Sequence, residues 1–321
     1  MLLPQRVIGP WEVSAMGLGC MPLSGMPVEN TDILAHRENA VSVIHAALDA
    51  GITLLDTADI YAPSWDTFGH NEILVGEAFR AWSGSDEAKS KVVITTKGGI
   101  TRGPDESWGR DGSREYLHRA VEASAKRLGV ARIQLWQHHR LDPSITFEAQ
   151  FENVLSLLEQ GLVERIGVSN YNAEQLRRAI KMGGTPEQGG VISVQNEFSP
   201  RYRRDADVMD VCEEQGLAFL PWSPLGGARD AHNLASGDFG AFDEIGSRKG
   251  VSAYAIAIAW LLHTSSTIIP IPGTTKVSSI LDNLSGLSIS LTSDEMTLLN
   301  ASLREDDPLG SELVNQPAFR E

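Results

Sequence analysis

The feature that most constrains the fold is a rhythm of short apolar, β-branched runs, each followed by a loop and a longer stretch of helical period. The runs are Met16–Gly19, Thr53–Asp56, Val92–Thr95, Ile133–His138, Arg165–Ser169, Ile192–Gln195, Ala218–Trp222 and Ile268–Pro272. They are continuously apolar rather than alternating, as expected of parallel strands covered on both faces. The intervening segments carry helix ends. Asn39 to Ala50 places Val43, Ala46, Ala47 and Ala50 on one stripe and stops at Gly51. Ser113 is the N-cap of a predicted helix that runs to Leu128 and stops at Gly129. Phe147 to Gln160 stops at Gly161, and Asp207 to Gln215 stops at Gly216. Asn172 with Gln175 forms a capping-box pattern for a helix to Met182, and Ser252 opens a helix to His263.

Strands alternating with helices in this way predict an α/β chain, a single (β/α)8 TIM-type barrel over residues 1–321. Arg6–Val13 is read as a hairpin closing the barrel's bottom, and residues 303–321 as a C-terminal tail that includes the solvated acidic run Glu305–Asp307. The competing architecture, an open doubly wound sheet, carries a Gly-x-Gly-x-x-Gly turn after its first strand. Here Gly17-Leu18-Gly19 is followed by Cys20, Met21 and Pro22, with no third glycine opening a helix.

Composition narrows the function classes. A net charge of −15 argues against nucleic acid as a partner, because phosphate binding needs clustered Lys and Arg. Cys20 and Cys212, the two cysteines of 321 residues, make neither a disulfide framework nor a zinc site. The histidines lack metal-ligand spacing, so no metal is predicted. The first residues lack a basic stretch followed by a long apolar run, and no run is long enough to span a membrane. A cytoplasmic location is expected.

In a barrel, chemistry lies at the C-terminal ends of the strands. Asp56 ends the second run, Lys97 follows the third, His139 follows the fourth and Trp222 ends the seventh; Tyr61 lies just after Asp56. A free tyrosine, with a pKa of about 10, is a poor acid at neutrality. A nearby ammonium stabilises the phenolate and lowers that value, a carboxylate keeps the ammonium charged, and a neutral histidine orients a substrate oxygen. Such a site protonates an oxygen that is gaining negative charge. Each residue taken singly has a blander reading, as helix cap, rim aromatic, solvated cation or packed strand histidine. Their joint placement favours catalysis. Met21, Trp65, Phe68 and Trp108 lie where loops would line a pocket, and the segments Arg102–Asp111 and Gly227–Gly240 are candidates for movement.

Leu55-Asp56-Thr57-Ala58-Asp59-Ile60-Tyr61, with Asn71-Glu72-Ile73-Leu74-Val75-Gly76 and Ile94-Thr95-Thr96-Lys97-Gly98-Gly99, resembles the aldo-keto reductase signature. Leu135 to Asp142, Gly167 to Tyr171, Val194 to Ser199, Pro221 to Gly226 and Ile269 to Gly273 are similar to further motifs of that family, in family order from about residue 7 to residue 300. The resemblance implies Tyr61 as general acid, Lys97 and Asp56 as its tuning pair, and His139, rather than His138, as the carbonyl-orienting residue. It implies that Ser169, Asn170 and Gln195 meet the nicotinamide carboxamide and that Trp222 stacks on the ring where the family commonly has Tyr. Cofactor contacts are also expected from Gly19, Cys20, Met21, Ser223, Pro224, Leu225 and Gly226. The adenine end would rest on Pro272, Gly273, Thr274, Thr275, Lys276, Ser279, Asp282 and Asn283. Members that prefer NADPH often carry Arg near the positions of Thr275 or Ser279. This chain offers Lys276, which implies NADPH with NADH as the alternative, and Arg229 could close over the pyrophosphate.

The expected partner is a small-molecule carbonyl compound, for a monomer or a homo-oligomer. Two other functions fit the same residues. Potassium-channel β-subunits resemble reductases yet act as cofactor-sensing binding partners; they would assemble and turn over slowly. A barrel lyase would use Lys97 as a Schiff base, against which Asp56 keeps the amine protonated and non-nucleophilic.

Overall fold

The computed structural model describes residues 3–24, 37–227, 231, 234 and 240–303. Seven parallel strands pair in a continuous curled sheet: β3 (Leu18–Gly19), β4 (Leu54–Asp56), β5 (Val93–Gly98), β8 (Ile133–His138), β9 (Val163–Ser169), β10 (Val191–Gln195) and β11 (Ala218–Phe219). Residues 268–273 close it into a barrel, bridging Phe219 through Ile268 and Gly19 through Gly273. On one side, Ile269 and Ile271 donate their N–H groups to Phe219 and Pro221. On the other, the carbonyls of Pro270 and Pro272 accept from Gly17 and Gly19. Proline has no N–H to return, so this eighth strand makes half a ladder on the β3 side.

The side chains sort into two apolar sets. Leu54, Val93, Leu135, Ile192, Ala218, Ile269 and Ile271 point inward and fill the barrel. Their neighbours Leu55, Ile94, Trp136, Ile166, Val194 and Ile268 point outward against the helices. Burial of both faces explains why the strands read as unbroken apolar runs. The N-terminal residues form an antiparallel hairpin, β1 (Gln5–Ile8) with β2 (Trp11–Ser14), whose Ile8 and Val13 are fully buried against the inward set. This plug sits opposite the strand C-termini, and each such side chain contributes about 1.5–3 kcal/mol.

Around the sheet run α1 (Arg37–Asp49), α2 (His70–Ala81), α3 (Asp86–Ser90), α4 (Arg114–Leu128), α5 (Phe147–Glu159), α6 (Ala173–Gly183), α7 (Ala206–Gln215), α8 (Gly240–Lys249), α9 (Ala253–Thr264), α10 (Val277–Ser285) and α11 (Ser293–Ala301). The caps at Ser113, Asn172 and Ser252 accept from the backbone N–H three residues on, and Gln175 completes its capping box. Five of these helices, α2, α3, α8, α10 and α11, were not apparent from the sequence. The segment Arg102–Asp111, read as a mobile loop, instead belongs to an antiparallel hairpin of β6 (Ile100–Arg102) and β7 (Trp108–Arg110). Most of Gly227–Gly240, the acidic run Glu305–Asp307, Arg229 and nearly all of the tail 303–321 lie outside the described residues. Among the described residues, no helix is long and apolar enough to cross a membrane.

Candidate active site

Strand register assembles the site. Asp56 pairs with Thr95, Lys97 with Gln137, Gly98 with His138 and Gln195 with Ser169, so all their strands end on one level. The Lys97 side chain is wholly buried, and Nζ donates to Asp56 Oδ2 (2.7 Å), Thr57 O (2.9 Å) and Tyr61 Oη (3.1 Å). All three ammonium hydrogens are therefore engaged. The ammonium also lies 4.7 Å from the Tyr61 ring centroid, and the His139 ring meets that ring edge-on at 5.9 Å. The tetrad read from the sequence is thus brought together around one phenol.

The electrostatics differ from the simple expectation. Burial pulls the Lys97 ammonium down, but Asp56 and then Tyr61 outweigh it and hold it above its ordinary value. For Tyr61, burial is the larger effect and pushes the phenol up; Lys97 pulls it back only in part. The expected lowering of the Tyr61 pKa is therefore not what the protein alone produces, because desolvation of a phenolate outweighs one shared ammonium. Tyr61 therefore stays protonated near neutrality. His139 is driven well below its ordinary value by burial first and then by Lys97, so its ring is neutral near neutrality. His138 has a separate place: Nδ1 contacts the Tyr171 hydroxyl at 2.8 Å, and burial brings it down to about 4.

A hydrogen-bonded rim runs outward from this cluster. Gln195 Nε2 donates to Asp56 Oδ1 (2.8 Å), and Ser169 Oγ donates to the Gln195 carbonyl (2.8 Å). Asn170 Nδ2 donates to Ser169 Oγ (2.9 Å) and His139 O (3.1 Å), while Trp222 Nε1 donates to Asn170 Oδ1 (3.2 Å). The polar residues assigned to a carboxamide are thus ordered by one another and by Asp56. Asn170 and Ser223 hold φ values of +59° and +48°, in the left-handed region that side-chain-bearing residues seldom occupy. Such outliers cluster at ligand sites.

The residues assigned to the rest of a dinucleotide lie along strand ends next to one another. Gly19 and Gly273 cross so closely that a Cβ on Gly19 would lie 2.6 Å from Ile271 O, and one on Gly273 would lie 2.8 Å from Pro22 Cδ. Cys20, whose N–H donates to Asp56 O, is buried, and Met21 is 39% exposed. Ser223, Pro224, Leu225 and Gly226 form a turn closed by Gly226 N–H to Ser223 O. Pro272, Thr274, Thr275 and Lys276 lead into α10, whose N-cap Lys276 gives its first turn no side-chain bond. Free N–H groups beside a lysine suit an anionic group. Ser279 lies in that first turn and Asn283 is buried, whereas the Asp282 carboxylate is taken by Ser252 Oγ (2.6 Å). The side-chain-free crossing, the uncapped turn and the aromatic Trp222 fit an extended nicotinamide dinucleotide.

Of the expected pocket aromatics, Phe68 and Trp108 pack with Tyr61 on Ala58, Ile60 and Ile100, while Trp65 is 42% exposed. Three residues given no role by the sequence prove central. Thr57 supplies the carbonyl that takes a Lys97 hydrogen. Asn71, at the start of α2, donates its N–H to Tyr61 O and its side-chain N–H to Cys20 O, and accepts from Thr57 Oγ1. Arg102 binds the loop after Tyr61. Thr57 and Asn71 sat inside motifs already recognised; the sequence marked Arg102 only as the start of a segment that was a candidate for movement. Among the described residues, no group of three or more His, Cys, Asp or Glu could hold a metal ion.

The aldo/keto reductase family profile matches residues 15–304. An uncharacterized oxidoreductase of Schizosaccharomyces pombe is 31% identical over 301 residues, covering 94% of this chain and 90% of that protein. The crystal structure of the thermostable aldo-keto reductase Tm1743 with the inhibitor epalrestat superposes with a TM-score of 0.75 at 26% identity, over 94% of this chain and 100% of that one. An aldo/keto reductase from Klebsiella pneumoniae, crystallised with NADP and acetate, has the same fold with a TM-score of 0.75 at 22% identity, over 94% and 96% of the two chains.

Proposed function

The chain belongs to the aldo/keto reductase family, and from that premise we propose that it reduces an aldehyde or ketone to the alcohol with NADPH, Tyr61 acting as general acid. The observation that carries this reading is the Tyr61 hydroxyl 3.1 Å from Lys97 Nζ, itself bound to Asp56, with the neutral His139 ring against the phenol edge.

A reduced nicotinamide, when bound, supplies the hydride for the carbonyl carbon. The chain's own residues do the rest. His139 donates a hydrogen bond to the carbonyl oxygen and aligns it with the Tyr61 hydroxyl. As that oxygen gains charge, Tyr61 gives up its proton, and Lys97 stabilises the phenolate left behind. Asp56, fixed by Gln195, holds Lys97 in place. A proton from solvent then restores Tyr61. Ser169, Asn170 and Gln195 would orient the carboxamide, and Trp222 would stack on the ring. Lys276, with the first turn of α10, would receive the 2′-phosphate; NADP in the Klebsiella pneumoniae structure supports that preference.

The test is absorbance at 340 nm with 4-nitrobenzaldehyde and either NADPH or NADH, beside a Tyr61→Phe variant. The expected result is turnover with NADPH preferred, lowered by 10²-fold or more in Tyr61→Phe, on the order of general acid catalysis. Cofactor binding without turnover on a panel of carbonyls would refute the reductase and favour a cofactor-sensing role.

A further inference from the structure

Arg102 is a buried cation that the chemistry above leaves without a role. Its side chain is 3% exposed, and its guanidinium is held by two backbone carbonyls and one carboxylate. Nη1 donates to Ala62 O at 2.9 Å and Nη2 to Pro63 O at 3.1 Å, the two carbonyls directly after Tyr61. The Glu106 carboxylate pairs with the same guanidinium, and the Trp108 ring lies 5.1 Å from its Cζ.

Glu106 carries the contact further, since its Oε1 accepts the Trp65 N–H at 3.2 Å. It does so from a φ of +62°, in the left-handed region. A residue with a side chain persists there only where its surroundings hold it, and here the hold is the Arg102 pair and the turn closed by Glu106 N–H to Gly103 O. The hairpin of β6 and β7 is thus fastened to segment 61–67 through both partners. The other side of that segment is tied down by α2, through Asn71 N–H to Tyr61 O. Tyr61 therefore sits on a backbone gripped from two elements, with Lys97 ordering its hydroxyl. Displacement of a reacting group by about 1 Å can cost 10²-fold in rate.

We propose that Arg102, braced by Glu106, is a positioning residue that latches the hairpin to segment 61–67 and so fixes the Tyr61 proton donor and the pocket edge at Trp65. The latch acts through Tyr61 and so rests on the reductase reading. Its stability as a contact is measurable separately.

The experiment compares Arg102→Ala, Arg102→Lys and Glu106→Gln with the intact enzyme by three readouts. These are steady-state reduction of 4-nitrobenzaldehyde, NADPH affinity from fluorescence quenching, and amide hydrogen exchange of peptides covering 61–67 and 93–98. In Arg102→Ala, kcat is expected to fall on the order of 10²-fold while the NADPH Kd stays within twofold. Exchange accelerates in 61–67 and not in 93–98, and millimolar guanidinium ion restores part of the lost kcat. Arg102→Lys falls between Ala and the intact enzyme, since an ammonium cannot span both carbonyls as a planar fork does. Glu106→Gln loses less than tenfold. Unchanged kcat in Arg102→Ala, unchanged exchange in 61–67, or parallel loss of kcat, NADPH binding and protection across the barrel would each overturn the latch. If the intact enzyme reduced no carbonyl, the reductase reading would fail, while faster exchange confined to 61–67 would still support the contact and its absence would reject it.

Discussion

Arg127→Met would strand a buried carboxylate, that of Glu72. The Glu72 side chain is fully buried; its Oε2 takes Arg127 Nε and its Oε1 takes Thr96 Oγ1, both at 2.5 Å. Arg127 also donates to Ser124 Oγ and passes so close over Gly69 that a Cβ there would lie 2.3 Å from the arginine Cδ. Gly69 itself has a φ of +85°, so the position demands glycine on both counts. Asp59 is also buried, and burial and then Glu72 push it well above the usual carboxylate range. With methionine at 127, the Glu72 carboxylate would keep the Thr96 hydroxyl and lose its paired cation. Breaking a buried pair by removing one partner costs about 3–5 kcal/mol. At roughly 2 °C per kcal/mol for a chain of this size, that lowers Tm by about 6–10 °C. Thermal melting by circular dichroism at pH 8 measures it. The double variant Glu72→Gln/Arg127→Met buries no charge and keeps the Thr96 contact, so it is expected to recover more than half of the loss. A single-variant cost under about 1 kcal/mol, or a double variant no better than the single, would refute the reasoning.

Asp59→Asn tests the same layer by pH. Because the folded protein holds the Asp59 proton more tightly than the unfolded chain, wild-type stability is full below the ordinary carboxylate pKa and declines as pH rises toward the raised value. The variant is expected to match wild type near pH 4 and exceed it at pH 8 in denaturant titrations; a variant less stable at pH 8 sinks the assignment. His139, driven well down by burial and Lys97, stays neutral far below its usual range, so kcat for reduction is expected to show no inflection near pH 6.5. An inflection there that vanishes in His139→Gln would contradict it. Tyr61, pushed up by burial, predicts no alkaline decline of the reduction rate below about pH 10, checked by the pH profile of kcat/KM. Gly19→Ala drives a Cβ into Ile271 O at 2.6 Å, and the overpacked crossing is expected to cost about 1–3 kcal/mol. NADPH affinity should weaken with it, measured by fluorescence titration; wild-type Tm and affinity would show that the crossing yields.

Local chemistry made much of this protein legible in its sequence. Ser113, Asn172 and Ser252 announced helix starts because a capping oxygen acts within three residues of itself. The strands were visible because a parallel sheet buried on both faces reads as near-continuous apolar runs. Asp56, Tyr61, Lys97 and His139, which the structure brings together, stood out because barrel chemistry gathers at strand ends and their motifs occur in order. What acts across distance was hidden. α2 begins at a left-handed Gly69 with no side-chain cap, so neither end signal nor a clean stripe marked it. The eighth run, Ile268–Pro272, was read from the sequence, but not how its two prolines are held, facing β3 with carbonyls only. Glu72 with Arg127, Arg102 with the carbonyls after Tyr61, and Gln195 with Asp56 are partners far apart in sequence. The net rise of the Tyr61 pKa was likewise undetermined by residue identity. Residue types say that an ammonium can lower a phenol, but only the three-dimensional burial of both groups decides which effect is larger.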